Sequence, residues 1–215
     1  MKKARWLGAR DPEKMLTFLT PRVSGRKLRL FACACCRRLW SELPDERSRK
    51  AVEEAERFVD ARTNQERHQL RITRRGAMAV EADTGGSLAA RAARAAVARS
   101  YFDAARQASH YAVMARRAVG DLEGIAEHLA QAHLLREICG HLFLDEASFN
   151  PRWRTATALS LAEGIYADHA FDRMPILADA LEDAGCTNAE ILDHCRGPGP
   201  HVRGCWAVDL VLGRE

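Results

Sequence analysis

Two groups of residues in this chain have types and spacings suited to holding a metal ion. Near the C-terminal end, His201, Cys205 and Asp209 follow one another at intervals of four, which on a helix makes one ridge. His194 and Cys195 stand just before them, across Gly197-Pro198-Gly199-Pro200, a segment that cannot continue a helix. Zinc accepts histidine nitrogen, thiolate sulfur and carboxylate oxygen, and His201 with Cys205 is a geometrically permitted pair. Asp209 lies between Val208 and Leu210 in an apolar run, so once buried it needs a partner; Arg203, Arg173 or His201 can serve. A structural network, in which Asp209 orients His201 or receives an arginine, competes with the metal reading. In the N-terminal part, Cys33 and Cys36 are three apart and can turn toward one ion. Cys35 points instead into an apolar stripe with Leu28 and Leu39. A second cysteine pair at matching spacing is missing, and small-residue helix packing competes as the explanation.

Other chemistries are less well supplied. Cysteine, histidine and aspartate can form a nucleophile, a base and an orienting carboxylate, but helical spacing does not establish hydrogen-bond reach between them. No nucleophile elbow, Walker loop, dinucleotide fingerprint or HExxH motif occurs. Arg196 and Arg203 flank the Gly-Pro-Gly-Pro segment, where helix N-terminal amides could face an anion. Asp179, Glu182 and Asp183 read as solvent-facing charges. Arg71, Arg74, Arg75, Arg91, Arg94 and Arg99 can contact phosphates without specifying a base.

Three segments carry a resemblance. Residues 26–40 (RKLRLFACACCRRLW), 170–186 (AFDRMPILADALEDAGC) and 194–206 (HCRGPGPHVRGCW), together with 11–19, are similar to a family of uncharacterised planctomycete proteins abundant in Gemmata-like species. The resemblance implies a common fold and a bacterial origin. It brings no catalytic residues to carry over.

The elements that must position these residues are helical. Asp11-Pro12-Glu13 reads as a helix start, with an N-cap, proline at the first position and an acid in the first turn. Ser24 caps a helix to about Leu43, whose Leu28, Phe31, Cys35 and Leu39 recur at spacings of three and four. Asp45 caps the next, to about Arg62, and residues 63–83 form a polar helical stretch. After Gly85-Gly86, one Ala- and Arg-rich helix is expected from Ser87 to Val119, then another from Asp121 to Cys139. Residues 141–154 read as an irregular connection. Thr155 caps a helix to Ala167, Asp172 starts one that ends at Gly185, and Thr187 with Glu190 forms a capping box for a helix through His194. A last apolar helix is expected from His201 to Leu212.

Composition agrees with a packed protein: 47% of residues are hydrophobic and 29% charged, which is ordinary for a globular chain. No stretch reaches the roughly 18 consecutive apolar residues of a membrane span. No secretory signal pattern follows the basic start, so a cytoplasmic location is expected, and the seven cysteines are expected to be reduced. Residues 1–119 hold 26 basic and 13 acidic side chains, and the remainder 7 and 16. The basic part invites an anionic partner and the acidic part repels the same one.

The expectation is therefore an all-α, irregular bundle of about eight to ten helices. It is read as a single domain over 1–215, with division near 85–86 or 140 as the alternative. The leading functional expectation is a protein-interaction or structural module, partnered by another protein or a second copy, without a cofactor. The alternatives are a zinc-binding protein or a thiol- or metal-dependent enzyme, and a weak, non-specific nucleic-acid binder. Neither a membrane nor a nucleic acid is the expected partner.

Overall fold

Several helices of the chain begin where a side chain or a proline stands in for a missing backbone bond. The computed structural model describes residues 1–60, 64–83, 85–143 and 149–214, with backbone alone for 64–67. Among the described residues there are twelve α-helices and no strand. Helix α1 spans Lys3–Leu7 and α2 spans Pro12–Leu19. The Asp11 carboxylate accepts from the amides of Glu13 and Lys14, and Pro12 takes the first helical position, as its lack of an N–H favours. Ser24 caps α3 (Gly25–Arg37) and Asp45 caps α4 (Glu46–Phe58). The helices α5 (Asn64–Asp83), α6 (Leu88–Ala96), α7 (Tyr101–Arg117) and α8 (Asp121–Cys139) follow.

The chain groups into two compact units, Met1–Leu135 and Arg136–Glu215. In the first, α3 packs against α4, α6 and α7. Its Phe31, Cys33, Cys35 and Cys36 are fully buried, and six alanines of α6 are buried with them. Small side chains let helices approach closely, so α6 supplies contact by proximity rather than by volume. A buried polar chain crosses this unit. Arg38 donates to Glu127 at 2.8 Å, Gln131 donates to Glu127 at 3.0 Å, and the Ser109 hydroxyl donates to Gln131 at 2.6 Å.

One long helix over Ser87–Val119 is not what forms. The backbone leaves the helix at Val97 and restarts at Tyr101, where the Ser100 hydroxyl accepts from the Asp103 amide. The carbonyls freed at the break are taken by tertiary partners. Arg29 of α3 donates to the Ala96 oxygen, and Arg74 of α5 donates to the Val97 oxygen at 2.5 Å.

The second unit contains the end of α8, 3-10 turns at Gly140–Phe143 and Pro151–Trp153, and four further helices. These are α9 (Ala156–Asp168), α10 (Met174–Asp183), α11 (Ala189–Arg196) and α12 (Trp206–Leu212). Helix α9 packs on α10 and α12, and α10 on α11, around Ile165, Met174, Leu177, Leu181 and Ile191. Three boundaries differ from expectation: α10 starts at Met174 rather than Asp172, which lies in a 3-10 turn over Phe171–Arg173, and two others follow. Asn188, not Thr187, caps α11, because its carboxamide oxygen accepts from the Ile191 amide at 3.2 Å. The last helix starts at Trp206 rather than His201, since Gly204 adopts φ 94° and the Cys205 amide closes a turn onto the Val202 carbonyl. Among the described residues, no helix is long and apolar enough to cross a membrane.

Candidate metal centre

Glu137, His194, His201 and Cys205 each present one ligand atom, and these atoms all lie within 4.8 Å of one another. All four belong to the second unit. Glu137 comes from the last turn of α8, His194 from α11, His201 from the segment between α11 and α12, and Cys205 from the residue that precedes α12. The site is enclosed: side-chain exposure is 5% for Glu137, 18% for His194 and 8% for His201, and Cys205 is wholly buried.

His201 Nδ1 lies 3.1 Å from Glu137 Oε1, and its Nε2 lies 3.2 Å from the Gly197 carbonyl oxygen. Both neighbours are acceptors, so the metal-free ring is best matched as an imidazolium donating from each nitrogen. Burial lowers the affinity of His201 for its second proton, but the hydrogen bond and charge of Glu137 and the Gly197 carbonyl leave its pKa above the ordinary value. His194 Nε2 is 3.2 Å from Cys205 Sγ and 3.4 Å from Glu137 Oε2. Its Nδ1 accepts the Trp206 indole N–H at 3.2 Å, which places the proton of a neutral ring on Nε2. Burial alone would raise Glu137, yet the hydrogen bonds and charges of His194 and His201 bring its pKa down to about 2. Burial and the Glu137 charge push the Cys205 thiol well up.

Local structure explains the placement. Gly199 has φ +79°, and a Cβ there would sit 2.6 Å from the His201 nitrogen, so the turn that presents His201 requires glycine. A Cβ on Gly140 would meet the Trp206 indole at 2.7 Å, so this glycine admits the ring that contacts His194.

Of the residues expected from sequence, the structure gathers His194, His201 and Cys205. The anticipated ridge of His201, Cys205 and Asp209 does not form, because His201 and Cys205 precede the helix. Asp209 is buried on α12 and is not one of the gathered groups. Cys195 is buried in the unit's core, its thiol pushed up to about 12 by burial and then by the Glu137 charge. Cys33 and Cys36 are core residues of α3 with thiols raised by burial, and neither joins a metal-ligand group among the described residues. Arg196 is paired with Asp179 at 2.8 Å and Glu182 at 2.6 Å. The Arg203 guanidinium lies 4.4 Å from the Tyr166 ring centroid. The amides beyond the Gly-Pro-Gly-Pro segment are not a helix N-terminus, because α12 begins later. Three of the arginines considered for phosphate contact are engaged: Arg74 with the Val97 carbonyl, and Arg91 and Arg94 with Glu81.

Glu137 is the ligand that sequence reasoning missed. An acid beside Ile138 in a run containing Leu134, Leu135 and Cys139 carries the same signal as Asp209, a charge inside an apolar stretch.

The fold and site define an all-α protein with a buried His/His/Cys/Glu cluster able to coordinate a metal ion. No family model matches the chain, and neither a curated protein nor a solved structure is significantly similar to it.

Proposed function

We propose that Glu137, His194, His201 and Cys205 bind one zinc ion that holds the second unit together. The observation that carries this reading is the convergence of four ligand atoms within 4.8 Å in a buried site. A tetrahedral zinc ion with bonds of about 2.0–2.3 Å has ligand–ligand edges of about 3.3–3.7 Å. The separations of 3.1, 3.2 and 3.4 Å lie close to that range before any adjustment to an ion. Two imidazoles, a thiolate and a carboxylate suit zinc, whereas magnesium and calcium prefer oxygen donors. The Gly197 carbonyl favours a proton on His201 Nε2, leaving Nδ1 for the metal, the outer-shell arrangement common to ligating histidines.

Four protein donors in an enclosed site support a structural role over a catalytic one, which would keep a position open. A thiol-enzyme reading is poorly supported, since a nucleophile needs an accessible thiolate and Cys205 is buried with a raised pKa. The metal reading takes precedence over an interaction module because it rests on a particular geometry rather than on an abundance of helices.

Native mass spectrometry of the full chain, with and without chelator, tests it. The expected result is one zinc per chain, removed by chelator, with affinity reduced about 100-fold or more in Cys205→Ala and His201→Ala. A wild-type chain that takes up no stoichiometric zinc on reconstitution would end the proposal.

A further inference from the structure

One face of α7, in the first unit, carries more cations than the acids around it. Arg106, His110, Val113, Met114 and Arg117 recur at helical spacing and so share one side of the helix. That side lines a cleft of about 250 Å³ whose other walls come from α2 and from His128 of α8. Neither the Arg106 nor the Arg117 guanidinium has an ion-pair or hydrogen-bond partner among the described residues. Neighbouring arginines differ: Arg116 pairs with Glu42 at 2.6 Å and Arg38 with Glu127 at 2.8 Å. Glu13 is the one acid lining the cleft, against two arginines and two histidines.

The arginines are eleven residues apart, about 16 Å along the helix axis, and both line the cleft. A concave wall on which one sign of charge predominates concentrates ions of the other sign. Guanidinium groups bind carboxylate and phosphate in bidentate fashion. Between the two cations, beside Ser109 and His110, Leu16, Val113 and Met114 give the cleft apolar surface. A fully hydrated inorganic ion would gain nothing from that surface, whereas an apolar body would leave water on seating there.

We propose that the cleft between α2, α7 and α8 binds a small organic anion, its carboxylate or phosphate held by Arg106 or by Arg117 and its apolar body on Leu16, Val113 and Met114. This is independent of the metal centre.

Titration calorimetry of the full chain with phenyl phosphate and with benzoate tests it, with inorganic phosphate and phenol as separate arms. At least one of the two organic anions is expected to saturate with Kd below about 1 mM, and both single-feature probes to bind at least about tenfold more weakly. The double variant Arg106→Gln/Arg117→Gln should weaken binding at least about tenfold. Met114→Asp, which keeps both arginines, should do the same, with thermal unfolding of each variant matching wild type. No saturable binding of either organic anion up to about 5 mM would overturn the proposal. So would equal affinity for inorganic phosphate, or binding undiminished in the double variant.

Discussion

At Glu137, burial and charge pull in opposite directions, and the outcome sets how the metal-free site depends on pH. The carboxylate has a depressed pKa of about 2, so the stability it contributes is present above its unfolded value and lost as pH falls through 2. His201 has a raised pKa, so its contribution is present below its unfolded value and lost as pH rises through the folded one. In chelator, the stability advantage of wild type over Glu137→Gln should therefore be largest between about pH 4.5 and 6.5 and shrink on both sides. At its maximum the difference should be on the order of 3 kcal/mol, as for one partner removed from a buried pair. Urea denaturation across that pH series measures it, and a flat difference would refute the pairing. Trp206 gives a second prediction. Zinc on His194 Nε2 moves the ring proton to Nδ1, where the indole N–H already points. Trp206→Phe should then bind zinc at least as tightly as wild type, while His194→Ala binds far less. A chelator-competition titration decides this, and weaker binding by the phenylalanine variant would count against ligation through Nε2.

At the scale of elements, the breaks between helices decide where functional groups stand. The interruption between α6 and α7 depends on Ser100 capping the new helix, so Ser100→Ala should cost about 1 kcal/mol. The alanine face of α6 is buried. Ala93, fully buried, should tolerate leucine poorly, losing about 1–3 kcal/mol by overpacking. Chemical denaturation of both variants checks these figures, and a neutral Ala93→Leu would show that α6 is less tightly opposed than its burial indicates. The turn between α11 and α12 bears on the site directly. Gly199→Ala introduces a Cβ against the His201 nitrogen at a positive φ, so the loop must shift. Zinc affinity should drop about tenfold or more, a loss of the size seen when a ligand's outer support is disturbed.

At the scale of the whole molecule, the four ligands are separated by up to 68 positions in sequence yet all lie in the unit Arg136–Glu215. Removing zinc should therefore loosen α11 and α12 while leaving α3, α6 and α7 protected. Hydrogen exchange with and without chelator reads this difference, and uniform loss of protection would contradict a locally acting ion.

The all-α class was legible in the sequence because helical periodicity and caps are local properties: Asp11 with Pro12, Ser24, Asp45 and Thr155 each start a helix where their side chains accept an amide. Three of the four gathered ligands were legible for a related reason, since His194, His201 and Cys205 lie close together around a turn that glycine and proline announce. What the tertiary structure alone decided was the fourth ligand and the geometry. Glu137 reaches the site from the end of another helix, and no local pattern records that approach. The helix expected over His201 and Cys205 is replaced by a turn, because Gly204 takes a left-handed backbone conformation and Cys205 closes onto Val202. Local sequence fixes which residues favour a helix or a turn; only the packed chain brings a distant carboxylate within bonding reach of two imidazoles and a thiol.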